Sequence, residues 1–120
     1  MGRNGIGALS PDALALVAAR FRTLADPLRL RILQALEHEE RNVGDLTASL
    51  RASQPNVSKQ LKALREAGFV QRRTEGTSAY WSVSDPAVFA LCDAVCRGLQ
   101  ARASSQARLL GSPAGPRRRR

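Results

Sequence analysis

Aromatic side chains are scarce in this chain: three Phe, one Tyr and one Trp among 120 residues. With 43% hydrophobic residues, a core has to be aliphatic and helical. A single His leaves no imidazole cluster to hold a metal or to activate a nucleophile. There is no Gly-rich phosphate loop, no nucleophile–histidine pairing and no carboxylate pair in a pocket context, so an enzyme lacks its parts. Long apolar runs are missing as well. The longest near the N-terminus, Ala13 to Ala19, is far too short for a secretion signal or a membrane span. The expectation is a cytoplasmic chain with no membrane partner, whose two cysteines are reduced thiols.

Acidic residues are scarce in particular places. The net charge is +9, yet residues 1–50 balance, with six Arg against six Asp and Glu. Residues 51–78 stand at +4, 79–96 at −2, and 97–120 at +7 without one acid. An excess confined to two segments suits a polyanion such as DNA better than a uniformly basic surface would.

The first of those segments reads as a helix followed by a hairpin. Val57, Leu61 and Leu64 fall at i, i+4, i+7, an apolar packing stripe. Gln54, Ser58, Lys59, Lys62 and Arg65 lie off it and carry donors and positive charge. Ser53 is a good N-cap, Pro55 fits the first turn, and Gly68 stands where a left-handed residue ends the helix. Residues 70–74 then alternate as a strand, Glu75 to Ser78 supply a turn, and Ala79 to Val83 return. A polar helix followed at once by a basic hairpin is the reading head of a winged helix-turn-helix fold.

The rest of the chain fits around it. Residues 1–9 read as a flexible arm, 10–103 as the DNA-binding and dimerisation domain, and 104–120 as a basic, disordered tail. Ser10-Pro11-Asp12 starts a helix to about Leu24, with Leu14, Val17 and Phe21 on one face. Asp26-Pro27 starts a second, to about His38, with Leu28, Ile32, Leu33 and Leu36 inward. Asn42 caps a short third helix, and Arg51-Ala52 turns into the Ser53 helix, which makes the helix-turn-helix pair. Ser84-Asp85-Pro86 opens a last helix to about Arg102. The fold class is mainly α with a small β-hairpin.

Four stretches together resemble the ArsR/SmtB family of bacterial transcriptional repressors: LADPLRLRIL (24–33), VGDLTASL (43–50), SQPNVSKQLKALREAGFV (53–70) and RRTEGTSAYWSV (72–83). The resemblance implies a homodimer built on the first and last helices, bound to an inverted repeat in double-stranded DNA and released by an effector. The apolar faces of residues 14–21 and of Phe89 to Leu99 agree with pairing, since a small monomer exposes such faces at a cost.

Gln54 and Ser58 are the candidates for base contacts, because uncharged hydrogen-bonding side chains distinguish base edges in the major groove. Ser53, the cap, is a further candidate for DNA contact, and Asn56 beside it either contacts DNA or ties down the helix start. Lys59, Lys62 and Arg65 suit phosphates, which fix position without reading sequence. Arg72, Arg73, Thr77 and Ser78 would set the wing against the adjacent backbone or minor groove. The two arginines equally suit an edge guarded against aggregation. Tyr80 and Trp81 point to opposite faces of their strand, so one belongs to the core. Arg117 to Arg120 add sequence-independent attraction to DNA.

Cys92 and Cys96 are the candidate sensor thiols. Phe89, Cys92, Cys96 and Leu99 follow the 3-4-3 spacing of a packing seam, which cysteine suits as a small hydrophobe. The pair is also two soft ligands one turn apart, within reach of a thiophilic metal ion or a redox effector if a two-fold axis lies near. No cofactor is required and no metal site is assigned. The family's thiolate site at the start of the third helix falls here on Asn42, Val43 and Gly44, and residues 84–110 hold no His for its carboxylate–histidine site. Two rival readings stay open: a winged helix kept for protein interaction, and a repressor without metal or redox sensing.

Overall fold

The computed structural model describes residues 5–110. The expected role of Arg117 to Arg120 lies outside these residues, as do positions 1–4 of the N-terminal arm. The elements are a single 3-10 turn at Ile6–Ala8, helices α1 (Pro11–Leu24), α2 (Pro27–Ala35), α3 (Val43–Leu50) and α4 (Gln54–Glu66), strands β1 (Val70–Glu75) and β2 (Ser78–Val83), and helix α5 (Ala87–Leu110). They form two compact units, one ending at Asp85 and the other beginning at Pro86.

Four helices of the first unit start on a side-chain cap that the sequence announces. Ser10 accepts the Ala13 N–H at 3.2 Å, Asp26 that of Arg29 at 3.0 Å, Asn42 that of Asp45 at 2.8 Å, and Ser53 that of Asn56 at 3.3 Å. Each bond satisfies one of the N–H groups a helix start leaves orphaned. The turn between α3 and α4 runs through Arg51, which is left-handed at φ 54° and ψ 43°. The Arg31 guanidinium donates to the Leu50 carbonyl at 3.1 Å and so closes the end of α3 beside that turn.

Helix α4 ends in a Schellman motif. The Gly68 N–H bonds the Arg65 carbonyl at 3.0 Å and the Phe69 N–H bonds that of Leu64 at 2.9 Å, with Gly68 left-handed at φ 86°. Phe69 and Leu64, the apolar partners such a motif brings together, are both buried. Arg20 of α1 braces this corner: it donates to the Ala67 carbonyl at 2.7 Å and lies 4.4 Å from the Phe69 ring centroid.

The core is aliphatic, as the composition requires. Ile32, Leu33 and Leu36 meet Leu46, Leu50, Val57, Leu61 and Leu64, all buried. Trp81 closes it from the hairpin at 7% exposure, and half-buried Tyr80 faces the other way. Strands β1 and β2 pair antiparallel with Glu75 opposite Ser78, so the loop is only Gly76-Thr77. A positive φ at Gly76 and not at Thr77 fits the II′ connection that follows strand twist. This turn is two residues tighter than the four-residue segment expected.

Two helix ends differ from the sequence expectation. Helix α2 stops at Ala35 and not near His38. Glu37, Glu39 and Glu40 are poorly placed at a helix C-terminus, where carbonyl dipoles repel anions. The chain turns there, and Arg41 forms a bridge with Trp81, their backbones exchanging bonds of 3.0 and 2.8 Å. Leu14 and Phe21 of α1, on the face expected to pair between protomers, are 38% and 51% exposed, and only Leu24 of that helix is buried. The last helix continues through the boundary expected at 103 to Leu110, because Ala101-Arg102-Ala103 and Gln106 to Leu110 contain no breaker before Gly111. Among the described residues no helix is long and apolar enough to cross a membrane.

Candidate nucleic-acid interface

Burying Val57, Leu61 and Leu64 completely decides what α4 turns outward. Gln54, Ser58, Lys59, Lys62 and Arg65 are all exposed, and no side-chain hydrogen bond or ion pair with another described residue engages them. The candidate base readers and phosphate holders therefore share one open face, polar toward the N-terminus and basic further along. Ser53 is exposed but its hydroxyl is occupied as the cap. Thr77 and Ser78 are exposed at the hairpin tip.

Asn56, Arg72 and Arg73 are separated by their partners. Asn56 is exposed, but its Oδ1 accepts from Gln60 Nε2 at 2.9 Å, and Gln60 Oε1 accepts from Arg29 Nε at 2.6 Å. Arg72 is exposed, and its guanidinium carbon lies 5.8 Å from the ring of its cross-strand neighbour Trp81. That contact leaves its charge available. Arg73 is committed instead. Its guanidinium pairs with Glu40 through both carboxylate oxygens, donates to Glu75 Oε1 at 2.8 Å, and lies 5.0 Å from the Tyr80 ring. The hydrogen bond from Arg73 holds the Glu40 carboxyl below the usual glutamate range, and the same pairing raises the guanidinium further. One cation between two carboxylates is a tether from the 37–41 turn to the wing, with its charge already compensated.

The partners that sequence reasoning missed are Arg29, Gln60 and Glu40. The i, i+4 spacing of Asn56 and Gln60 was available as a signal for one bond. The other two link positions 31 and 33 residues apart, which no local pattern reveals.

Residues 26–72 match the family described as bacterial regulatory protein, arsR family. A transcriptional repressor SmtB homolog of Synechocystis sp. is 39% identical over 92 residues, 77% of this chain and 70% of the relative. The HTH-type regulator Rv0081 of Mycobacterium tuberculosis is 41% identical over 91 residues, 75% of this chain and 79% of the relative. This chain belongs to the arsR family. Its fold agrees: the crystal structure of Rv0081 superposes with a TM-score of 0.68 at 37% identity, over 82% of this chain and 97% of that one. A homodimeric winged helix-turn-helix DNA-binding domain from Mycobacterium bovis, solved by NMR, gives 0.68 at 28% identity, over 81% and 95%.

In the second unit of this ArsR-family chain, Cys92 is half-buried and Cys96 exposed, and both are free thiols. Burial, with the Asp93 carboxylate adding to it, pushes the Cys92 thiol up. A thiol so held reacts and ligates through its minor thiolate fraction. Among the described residues no group of three or more His, Cys, Asp or Glu is placed to hold a metal ion. The two cysteines are the soft ligands available on α5.

Proposed function

We propose that this chain is a dimeric repressor that reads double-stranded DNA through α4, with the wing beside it, and leaves its operator when an effector acts on α5. The observation that carries the reading is the open face of α4. Donor side chains and cations stand exposed and uncommitted there, while the Val57, Leu61 and Leu64 stripe is wholly buried. Pairing is supported by what each unit leaves exposed: Leu14, Leu16 and Phe21 on α1, and Val95 and Leu99 on α5. A two-fold dimer would space two recognition helices by roughly 34–36 Å, one turn of duplex.

The effector part of the proposal rests on Cys92 and Cys96. A thiophilic ion or an oxidant at this pair, completed across a two-fold axis, would shift the angle between protomers and the spacing of the recognition helices. A coupling of about 1–3 kcal/mol lowers affinity some 5- to 150-fold, enough for derepression.

The test is a mobility-shift titration on the DNA upstream of the gene at rising salt, with thiophilic metals and oxidants added in turn. A specific, steeply salt-dependent complex is expected. Binding that is weak and indifferent to salt would instead support the protein-interaction reading. A monomeric mass by light scattering at micromolar concentration would exclude the dimer. If the Cys92→Ser, Cys96→Ser double variant still releases DNA on the same signal, the cysteines only pack.

A further inference from the structure

Arginine donates and never accepts, and this orders a chain of amide orientations running into α4. Arg29, at the start of α2, is held from two sides. Its backbone N–H bonds Asp26 Oδ2 at 3.0 Å, and its Nη1 donates to the Thr23 carbonyl at 3.1 Å. Its Nε then donates to Gln60 at 2.6 Å, so the atom facing it must be the Gln60 oxygen. The Gln60 amide nitrogen is left for Asn56, and the 2.9 Å bond between them must end on the Asn56 oxygen. With Oδ1 drawn to a residue one turn further along the helix, the Asn56 NH₂ is the group left to lead outward. The backbone N–H of Asn56 is bound by Ser53, which holds the same turn in place.

An unconstrained asparagine recognises adenine by offering an acceptor and a donor side by side. Asn56 sits in the first turn of α4, the end that meets base edges when such a helix enters the major groove. We propose that Arg29, acting through Gln60, is a positioning residue that presents Asn56 as a donor and so directs it to an acceptor, guanine O6 or N7, adenine N7 or thymine O4, and away from cytosine, whose major-groove edge offers a donor alone. This rests on the proposed reading of DNA by α4 and adds the sense of one contact within it.

Gln60→Glu tests the sense directly. A carboxylate keeps the bond from Arg29 but cannot donate, so Asn56 must turn its NH₂ back toward it and lead with its oxygen. The matching base partners then become the donors, cytosine N4 or adenine N6. Wild type, Gln60→Glu, Asn56→Ala and the double variant are each used to select sites from a randomised duplex library, with melting temperatures checked alongside. Wild type should select against cytosine at one position of each half-site, on the order of tenfold. Gln60→Glu should move the preference to cytosine over guanine and thymine, Asn56→Ala should abolish any preference, and the double variant should match Asn56→Ala there. Gln60→Ala, which adds no charge, should relax the preference. The same discrimination between cytosine and guanine or thymine in wild type and Gln60→Glu overturns the positioning role, as does an Asn56→Ala variant with unchanged preferences. If wild type enriches no site at all, the DNA reading itself fails.

Discussion

Two adjacent arginines on β1 should behave differently on DNA, although their sequence positions are equivalent as wing cations. Arg72 is exposed with its charge uncompensated, whereas Arg73 stands between Glu40 and Glu75, a trio that is net negative. A phosphate approaching Arg73 meets those carboxylates first. Lys59, Lys62, Arg65 and Arg72 are the cations of this face with no acidic partner among the described residues. Present twice in a dimer and all bound to phosphates, they would give a slope of log affinity against log salt of about −7. That corresponds to a loss of about 10⁴ in affinity between 50 and 200 mM salt. Arg72→Ala removes one phosphate contact per protomer and should flatten the slope by about two units. Arg73→Ala should change it by less than about half a unit. Fluorescence anisotropy on a labelled duplex at four or five salt concentrations resolves the difference, with melting curves to show that both variants fold. Equal flattening by the two substitutions would refute the reasoning, because it would mean that Arg73 leaves its carboxylates for phosphate.

Gln54→Ala and Ser58→Ala should weaken binding to the operator while leaving random DNA nearly unaffected, whereas Lys62→Ala should weaken both, flattening the salt slope by about one unit per contact. Equal losses on the two DNAs for all three variants would remove the base-reading assignment. Gly68→Ala should cost about 1–2 kcal/mol, the strain of a left-handed alanine. The added methyl meets only Arg20 Nη1 at 3.4 Å, so no clash adds to that. Each kcal/mol lost should lower the melting temperature about 4–8 °C at fixed protein concentration, and an unchanged melt would contradict the Schellman geometry. Glu40 should titrate below its ordinary value of 4.5. A depressed carboxylate contributes stability above its unfolded pKa and loses it as pH falls through the folded one, so the wing tether weakens only under acid conditions. An NMR titration should show the midpoint return toward 4.5 in Arg73→Ala.

The sequence alone determined the parts whose causes are local. Four N-caps, the left-handed Gly68 and the stripe of Val57, Leu61 and Leu64 were legible, because capping and helical period act within a few residues. The exposed face of α4 followed from that stripe, and with it most of the candidate DNA contacts. Side-chain commitments were not legible. Arg73 looked like Arg72 until the turn after α2 brought Glu40 to it, and nothing local tied Gln60 to Arg29. Those bonds join residues that meet only once α2, α4 and the hairpin have packed, so no spacing encodes them. The path of the chain after α2 has the same origin in part, since Arg41 bonds with Trp81, forty residues further on. The exposure of Leu14 and Phe21 also follows from packing: periodicity marks a residue as apolar-faced, but only the assembled core decides whether its own chain covers it.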